Sequence, residues 1–379
     1  GIAGFVKAYN DLSNTITSLT GFNAGTKTGG LLLGDSTTRS IQNQIRNTLS
    51  TSVSGLDGGL TTLSQVGIAV QKDGTLSLDS SKLATALTNS ISDVGGLFTA
   101  IGKSTDSLVN ISGSTSATKG GAYALNVITP ASQGALTGTG TALAPSTSIA
   151  SGTTINVTLD GVSSVVSLAT GNYTPTQLAA LLQSSVNGTS AFNIAGISVK
   201  ASINGSGYLV LQSNRFGSAS NVSLANGTGL ASTFTGTTVT GTAGVDIAGT
   251  LNGISAIGSG QVLTGVTGSD AEGLSILVNA TSAGARGTIN FSRGYADKIN
   301  TLLKGFLGST GTINSTTDGV SRSITALGKQ RDQLNSRLID IEARYRKQFT
   351  NLDTIISSMS NTSTFLTQQL GALTNSNLK

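Results

Sequence analysis

The sequence contains no cysteine and no histidine among its 379 residues. Without cysteine the chain forms no disulfide, no thiol nucleophile and no zinc–thiolate site, and without histidine it lacks the commonest general base and metal ligand. We therefore predict no catalytic residue, no cofactor and no metal site, and we expect that the protein is not an enzyme. The lack of cysteine fits residence in a reducing compartment, and it fits equally well export by a route that threads an unfolded, reduced chain.

Large apolar side chains are also scarce. Tryptophan is absent and aromatic residues make up 4% of the chain, although 37% of its residues are hydrophobic. We therefore expect cores built from alanine, valine, isoleucine and leucine. A chain of this length is sufficient for two or three domains.

The sequence also lacks a long apolar run. No stretch approaches the ~18 consecutive apolar residues of a membrane-spanning helix. The first residues, GIAGFVKAYN, do not show a basic region followed by an apolar one. We predict no membrane insertion and no signal peptide. Because the chain begins with glycine, inside a stretch with helical spacing, we expect a processed product or part of a longer polypeptide.

The net charge is only +5, but basic residues are concentrated in residues 321–350, where seven of them stand against three acidic residues. The basic residues are Arg322, Lys329, Arg331, Arg337, Arg344, Arg346 and Lys347. A nucleic-acid groove would combine such charge with exposed aromatic side chains. We therefore predict a solvated helix face and no nucleic-acid partner.

Two stretches, one near each end of the chain, show the alternating spacing of three and four that marks a coiled-coil seam. The N-terminal seam consists of Ile2, Phe5, Tyr9, Leu12, Ile16 and Leu19. The C-terminal seam consists of Val320, Ile324, Leu327, Leu334, Leu338, Ile341, Tyr345, Leu352, Ile355, Met359 and Leu366, with Arg331 and Gln348 as polar exceptions. We predict that the two seams pack side by side as one helical stalk, and that these residues form the assembly surface. Contacts within one chain and contacts between chains both remain open.

The segments between the two seams predict three regions. Residues 1–105 are expected to form the first half of the helical stalk domain, with a small hairpin on Lys72–Gly74. Residues 106–291 are rich in glycine, serine and threonine and are expected to form inserted β-rich domains. Residues 292–379 are expected to form the C-terminal helix of the stalk. The predicted fold is a multidomain α+β protein, in which a coiled-coil stalk of N- and C-terminal helices carries antiparallel β-rich insertions.

The β-rich region contains a recognisable ββαββ pattern over residues 153–213. One hairpin is expected on Asp160-Gly161, a helix begins after Thr174 with Pro175 in its first turn, and a second hairpin turns at 204–207. Residues 243–291 show further short strands with glycine-rich turns, and they form either a separate antiparallel piece or the completion of the first one.

Five stretches, in this order, resemble the C-terminal part of the flagellar hook-associated protein 2 family, the bacterial filament cap. They are FVKAYNDL (Phe5–Leu12), LLGDSTTRSIQNQIR (Leu32–Arg46), VGIAVQKDGTLSLDSSKLATAL (Val66–Leu87), ARGTINFSRG (Ala285–Gly294) and RYRKQFTNLDTIISSMSNTSTFLTQQL (Arg344–Leu370). The segment from VTLDG to VKASINGSGYLVLQSNRFGSAS is similar to the insert motif shared by flagellins and hook-associated proteins.

The resemblance implies a structural role outside the cell, at the tip of the bacterial flagellum. Members of the family are exported by the flagellar type III apparatus and form a ring, commonly of five subunits. Its β-rich plate covers the filament end, and its helical legs reach into the filament. The implied partners are flagellin, further copies of the chain, hook–filament junction proteins and an export chaperone. Relative to that pattern, the N-terminal helix and the first β segments are missing here, and the region 106–291 is an extra insertion compared with some members.

Two other functions share some of these features. A flagellin-like or hook–filament junction subunit has the same helical ends and insert motif. A surface adhesin would use the β-rich region to bind carbohydrate, although the aromatic residues that usually stack on sugar rings are few.

Overall fold

The computed structural model describes residues 1–56, 58–138, 142–226 and 238–376. It divides into two units, Gly1–Leu302 and Leu303–Lys379. Helices and antiparallel sheets occur in the same chain, which confirms the multidomain α+β class. The division at residues 105/106 and 291/292, and the pairing of the two terminal seams into one stalk, stay predictions.

The helices differ greatly in length, from five residues to 65. The described α-helices are α1 Ile2–Thr20, α2 Ser36–Ser50, α3 Ser80–Asn89, α4 Ile91–Phe98, α5 Pro175–Asn187, α6 Ser190–Ile194, α7 Tyr295–Leu307 and α8 Thr312–Ser376, and a 3-10 helix spans Leu63–Val66.

The strands are short, and the described pairings of named strands are all antiparallel. The strands are β1 Phe22–Asn23, β2 Thr28–Gly29, β3 Ile68–Val70, β4 Leu76–Leu78, β5 Ala100–Ser104, β6 Val109–Gly113, β7 Gly121–Thr129, β8 Gln133–Thr137, β9 Thr147–Ile149, β10 Thr154–Leu159, β11 Val162–Ser167, β12 Gly171–Tyr173, β13 Val199–Ile203, β14 Leu209–Phe216, β15 Val222–Asn226, β16 Thr238–Thr240, β17 Ala248–Leu251, β18 Ile254–Ser255, β19 Ile257–Ser259, β20 Val262–Thr264, β21 Ser275–Val278 and β22 Gly284–Arg293.

Side-chain caps start helices α2 and α3. The carboxylate of Asp35 accepts a hydrogen bond of 2.6 Å from the backbone N–H of Thr38 and begins α2. The carboxylate of Asp79 accepts two bonds of 3.0 Å, from the N–H groups of Ser81 and Lys82, and begins α3. Each acceptor satisfies donors that the first turn of a helix leaves free.

Two sheets enclose one core, which we call the base domain. Their strand orders are β18-β17-β7-β22-β5 and β19-β20-β21-β6. Their shared core includes Tyr123, Leu125, Leu263, Ile276 and Phe291, each at most 3% exposed. The short strands of residues 243–291 belong to the base domain. Strands β5, β6 and β7, from residues 100–129, complete its two sheets.

A second core lies between β7 and β17 in the sequence, in what we call the insert domain. Its sheets have the orders β11-β10-β15-β16, β13-β14-β8 and β12-β9, and α5 and α6 pack with them. Both hairpins of the predicted ββαββ pattern are present, but they lie in different sheets. Each hairpin has one apolar face, and the core between them is closed by α5 rather than by pairing of the two hairpins.

The turn of the first hairpin shows why its register is fixed. Asp160 and Gly161 have φ angles of 50° and 87°, which is the left-handed pair of a type I′ turn. This register turns Ile155, Val157 and Leu159 inward, each at most 1% exposed.

A single carboxylate connects the two β domains where the chain returns from the insert domain to β17. Asp246 accepts 2.6 Å and 3.1 Å bonds from the hydroxyl and N–H of Ser218, in the insert domain. It also accepts a 2.7 Å bond from the N–H of Gly260, in the turn between β19 and β20 of the base domain. The Ser218 hydroxyl, followed by these two backbone donors, lowers the pKa of Asp246 from its ordinary value of 3.8.

We predict that Asp246→Asn weakens this connection and lowers the free energy of unfolding by about 1 kcal/mol, because it removes charge-assisted hydrogen bonds. The folded-state pKa lies below the unfolded value, so the contribution is full above the unfolded value and is lost as the pH falls through the folded-state pKa. Urea unfolding at pH 7 and at pH 3 checks this: the difference between parent and variant shrinks at pH 3. Asp340→Asn, at an exposed carboxylate of α8, is the control. An equal loss of stability in the control contradicts the prediction.

Candidate assembly surface

Helix α8 is far longer than an ordinary globular helix. Its 65 residues span roughly 100 Å at 1.5 Å per residue. Many of its serine and threonine hydroxyls donate to the carbonyl four residues earlier, for example Thr325 to Ser321 and Thr350 to Arg346. The hydroxyls are thus satisfied within the helix itself, which lets a serine- and threonine-rich sequence remain helical.

The predicted C-terminal seam forms an apolar stripe on α8, and the stripe is exposed in the chain. The exposure of nine of its members ranges from 39% for Ile341 to 67% for Met359. The residues are Ile324, Leu327, Leu334, Leu338, Ile341, Tyr345, Leu352, Ile355 and Met359. A stripe of large apolar side chains on one helix face is typical of a surface that another polypeptide covers.

The N-terminal seam lies in different surroundings. Tyr9 donates a 2.9 Å hydrogen bond to the carbonyl of Gly74 in the turn between β3 and β4, and the ring of Phe5 contacts the ring of Phe98 edge-on at 5.7 Å. Ile16 is buried in the same unit. The other predicted members are half-buried or exposed: Ile2, Leu12 and Leu19. Part of this seam is therefore packed within the first unit, and its pairing with α8 stays a prediction.

The stripe on α8 becomes wider towards the C-terminus. Phe349 and Ile356 each follow a seam position directly, Phe365 precedes one, and Leu370 lies one turn after Leu366; all four are exposed. Sequence reasoning missed them because it counted two positions per heptad. The separation of Phe349, Ile356 and Leu370 by multiples of seven residues is the signal that identifies a third position. One partner helix covers a two-position seam, whereas a stripe of three positions is typical of a bundle with more neighbours.

Charge divides α8 at nearly the same point. The basic residues and their acidic neighbours all precede residue 354, and residues 354–376 contain no charged residue. Two ion pairs form within the first part, between Arg346 and Glu342 at 2.8 Å and between Arg331 and Asp332 at 3.0 Å. Both are solvent-exposed, so each contributes little to stability. The charged side chains of the first part of α8 are exposed. The absence of a nucleic-acid partner stays a prediction.

The acidic residues that a paired-carboxylate enzyme would require have structural partners instead. Asp246 connects the two β domains, Asp270 forms an exposed ion pair with Lys119 at 2.7 Å, and Glu272 accepts a hydrogen bond from the N–H of Gly268. Among the described residues, no group of three potential ligands is arranged to hold a metal ion. In the same part of the chain, no helix is long and apolar enough to span a bilayer.

The fold and this surface define a class of protein: a multidomain α+β chain with nested β domains and a long helix with an exposed apolar stripe. Comparison with known sequences gives the particular family. Residues 1–142 and 159–361 match the profile described as flagellar hook-associated protein 2 C-terminus. The chain belongs to this family.

Individual relatives match over shorter segments. Flagellar hook-associated protein 2 of Escherichia coli K12 is 42% identical over 112 residues, which are 27% of this chain and 24% of that protein. The Salmonella typhimurium LT2 protein is 39% identical over 83 residues, 22% of this chain and 18% of that protein. The matched segments thus span about a quarter of these curated relatives or less.

Two solved structures are similar in fold. The flagellar cap protein FliD D1-D2-D3 domains from Escherichia coli have 18% identity and a TM-score of 0.35, over 62% of this chain and 79% of that one. FliD (HAP2) from Pseudomonas aeruginosa PAO1 has 19% identity and a TM-score of 0.32, over 56% of this chain and 97% of that one.

We predict that Leu338→Glu weakens self-association of the chain at least about tenfold, because a carboxylate replaces a leucine whose burial is worth ~2 kcal/mol. Sedimentation equilibrium of the full chain measures the change. Ser336→Glu introduces the same charge two residues away, outside the stripe, and is expected to leave the association constant unchanged. If both variants associate like the parent, the stripe on α8 is not a self-assembly surface.

Arg331 is the one charged residue inside the stripe, and we predict that Arg331→Leu strengthens self-association by about tenfold. The substitution removes the cost of desolvating a guanidinium at a core position of a coiled coil, but it also removes a polar residue that specifies register. The same sedimentation experiment measures the association constant. A broader distribution of assembled masses would indicate that the register is no longer unique. An unchanged association constant would place Arg331 outside the interface, and a weaker association of Arg331→Leu than of the parent would contradict the prediction.

Proposed function

We propose that the protein is part of a flagellar filament cap. In this function several copies form an extracellular scaffold at the filament tip, which promotes folding and polymerisation of exported flagellin. The observation that carries the proposal is membership in the hook-associated protein 2 family over residues 1–142 and 159–361. Solved chains with similar folds are titled as flagellar cap proteins, which supports the same proposal.

The exposed stripe on α8 supports the part of the proposal that concerns copies of the chain. A long helix with an uncovered apolar face is stabilised when a further helix covers that face. We propose that copies assemble through this surface, with five as the number that the family resemblance implies. Hook–filament junction proteins and an export chaperone are further proposed partners.

The β domains support the part that concerns flagellin. The chain has 50 glycines and few aromatic residues, so its sheet surfaces offer few of the large anchors that dominate tight interfaces. Weak and repeated contacts suit a scaffold that releases each subunit after insertion. We propose no chemical reaction for the protein, because its family is structural and the sequence has neither histidine nor cysteine.

A deletion strain tests the function. Cells that lack the gene are expected to secrete monomeric flagellin into the medium and to form few filaments, and the intact gene is expected to restore filaments. The gene with Leu338→Glu is expected to restore less than half of them, whereas Ser336→Glu restores them fully. Secreted flagellin is measured in the culture supernatant, and filaments are counted by electron microscopy.

Two results would overturn the proposal. Normal filaments on cells without the gene would exclude a cap. Long tubes formed by the purified full chain would instead indicate a filament or junction subunit, whereas a cap forms small closed assemblies.

A further inference from the structure

The sheet β13-β14-β8 of the insert domain has two outer edges, and they are closed in different ways. On the outer side of β8, the backbone of Ala135 exchanges hydrogen bonds of 2.9 Å and 3.0 Å with the backbone of Thr242. On the outer side of β13 no strand is paired among the described residues. An edge without a paired strand presents backbone donors and acceptors to any further strand unless other groups bind them.

The outward groups of β13 are identified by its pairing with β14. Asn214 donates to the carbonyl of Ser198, and Val199 is opposite Ser213 in the register. Hydrogen-bonded pairs alternate along antiparallel strands, so Lys200 and Ser202 bond to β14. The backbone groups of Val199, Ala201 and Ile203 therefore point away from the sheet.

Two amide side chains of α5 occupy this edge. Asn187 binds Val199 as a strand would, because its Nδ2 donates to the carbonyl at 2.9 Å and its Oδ1 accepts from the N–H at 2.8 Å. Gln183 Oε1 accepts from the N–H of Ala201 at 3.0 Å. The two amides thus replace three of the backbone hydrogen bonds that a neighbouring strand would form.

The spacing of helix and strand explains why a helix can perform this role. Four residues of an α-helix rise about 6 Å, and two residues of a strand advance about 6.7 Å. Residues 183 and 187 of α5 therefore lie beside residues 201 and 199 of β13, respectively. One turn earlier, α5 presents Ala179 and Ala180, which carry no polar side chain, and a groove of about 440 Å³ continues there to Ile203. Gln183 and Asn187 are the side chains that bind the outward groups of β13 in the described part of the chain.

We propose that Gln183 and Asn187 act as a surrogate strand, which prevents β13 of one copy from pairing with β13 of a second copy. Two copies of one strand pair readily in antiparallel fashion about a two-fold axis. The exposed Lys200 on the same strand adds charge, which also discourages edge pairing. This inference does not depend on the proposed function, because it concerns only the edge of the insert domain.

The double variant Gln183→Ala, Asn187→Ala removes both amides from the edge of β13. Alanine favours the helical conformation, so α5 is expected to remain a helix. The full chain carrying Leu338→Glu is the parent, so that association through α8 does not mask the effect. The variant is expected to dimerise with a dissociation constant at least about tenfold lower than the parent, as measured by sedimentation equilibrium. Asn43→Ala with Asn47→Ala removes two exposed amides from α2 and is expected to leave the mass unchanged.

A rescue substitution identifies the contact. Ala201→Pro removes an outward N–H from β13, and proline is tolerated on edge strands but blocks strand addition. Added to the double variant, it is expected to restore the mass of the parent. A double variant that keeps its circular dichroism spectrum and the mass of the parent overturns the proposal. If the double variant does not fold, Asn187→Ala and Gln183→Ala are measured singly; each opens one position, and folded single variants with the parent mass overturn it equally.

Discussion

Satisfaction of backbone hydrogen bonds is the constraint on which this structure depends. Short strands and small side chains leave many peptide groups near sheet edges, and a buried or half-buried peptide group without a partner is costly. The structure meets this cost with asparagine side chains at several places. Asn10 of α1 binds both backbone groups of Leu76 in β4, at 2.7 Å and 2.8 Å. Asn252 accepts from Ala124 at 2.7 Å and donates to Ala122 at 3.2 Å beside β7.

The same constraint explains how nested domains hold their arrangement. Insertion of one β domain between two strands of another brings two chain segments together at a single junction. The N–H of Ser132 donates to the carbonyl of Val245 there, and the N–H of Val245 donates to the hydroxyl of Ser132. Asp246 adds the carboxylate contacts to Ser218 and Gly260. Gly217 has φ 97°, and a side chain at this position would lie 2.7 Å from the Cα of Gly260. Close backbone approach and a charged acceptor together replace the bulky apolar contacts that the composition lacks.

Local signals in the sequence predicted the local structure well. The Thr174 cap with Pro175 and the turn at Asp160-Gly161 were identified because each depends on neighbouring residues only. The partners of strands beyond the predicted hairpins were not predicted. That β7 pairs with both β17 and β22, across an insertion of more than a hundred residues, depends on tertiary packing, and no local pattern carries it. For the assembly surface, spacing located the stripe on α8 but not its third position from Phe349 onwards.

The two halves of α8 require different surroundings. Before residue 354 the charged flanks keep the helix hydrated, and a narrow seam leaves them in water when one helix covers it. After residue 354 the helix has no charge, and large apolar residues such as Phe365, Leu366 and Leu370 lie on more than one side of it. Serine and threonine in this part satisfy their own hydroxyls against the helix backbone, as Thr362 and Thr367 do. The free-energy cost of removing such a surface from water is small, because its polar groups already have hydrogen-bond partners. The end of α8 is therefore suited to be surrounded by protein, and the first half is suited to be flanked by solvent.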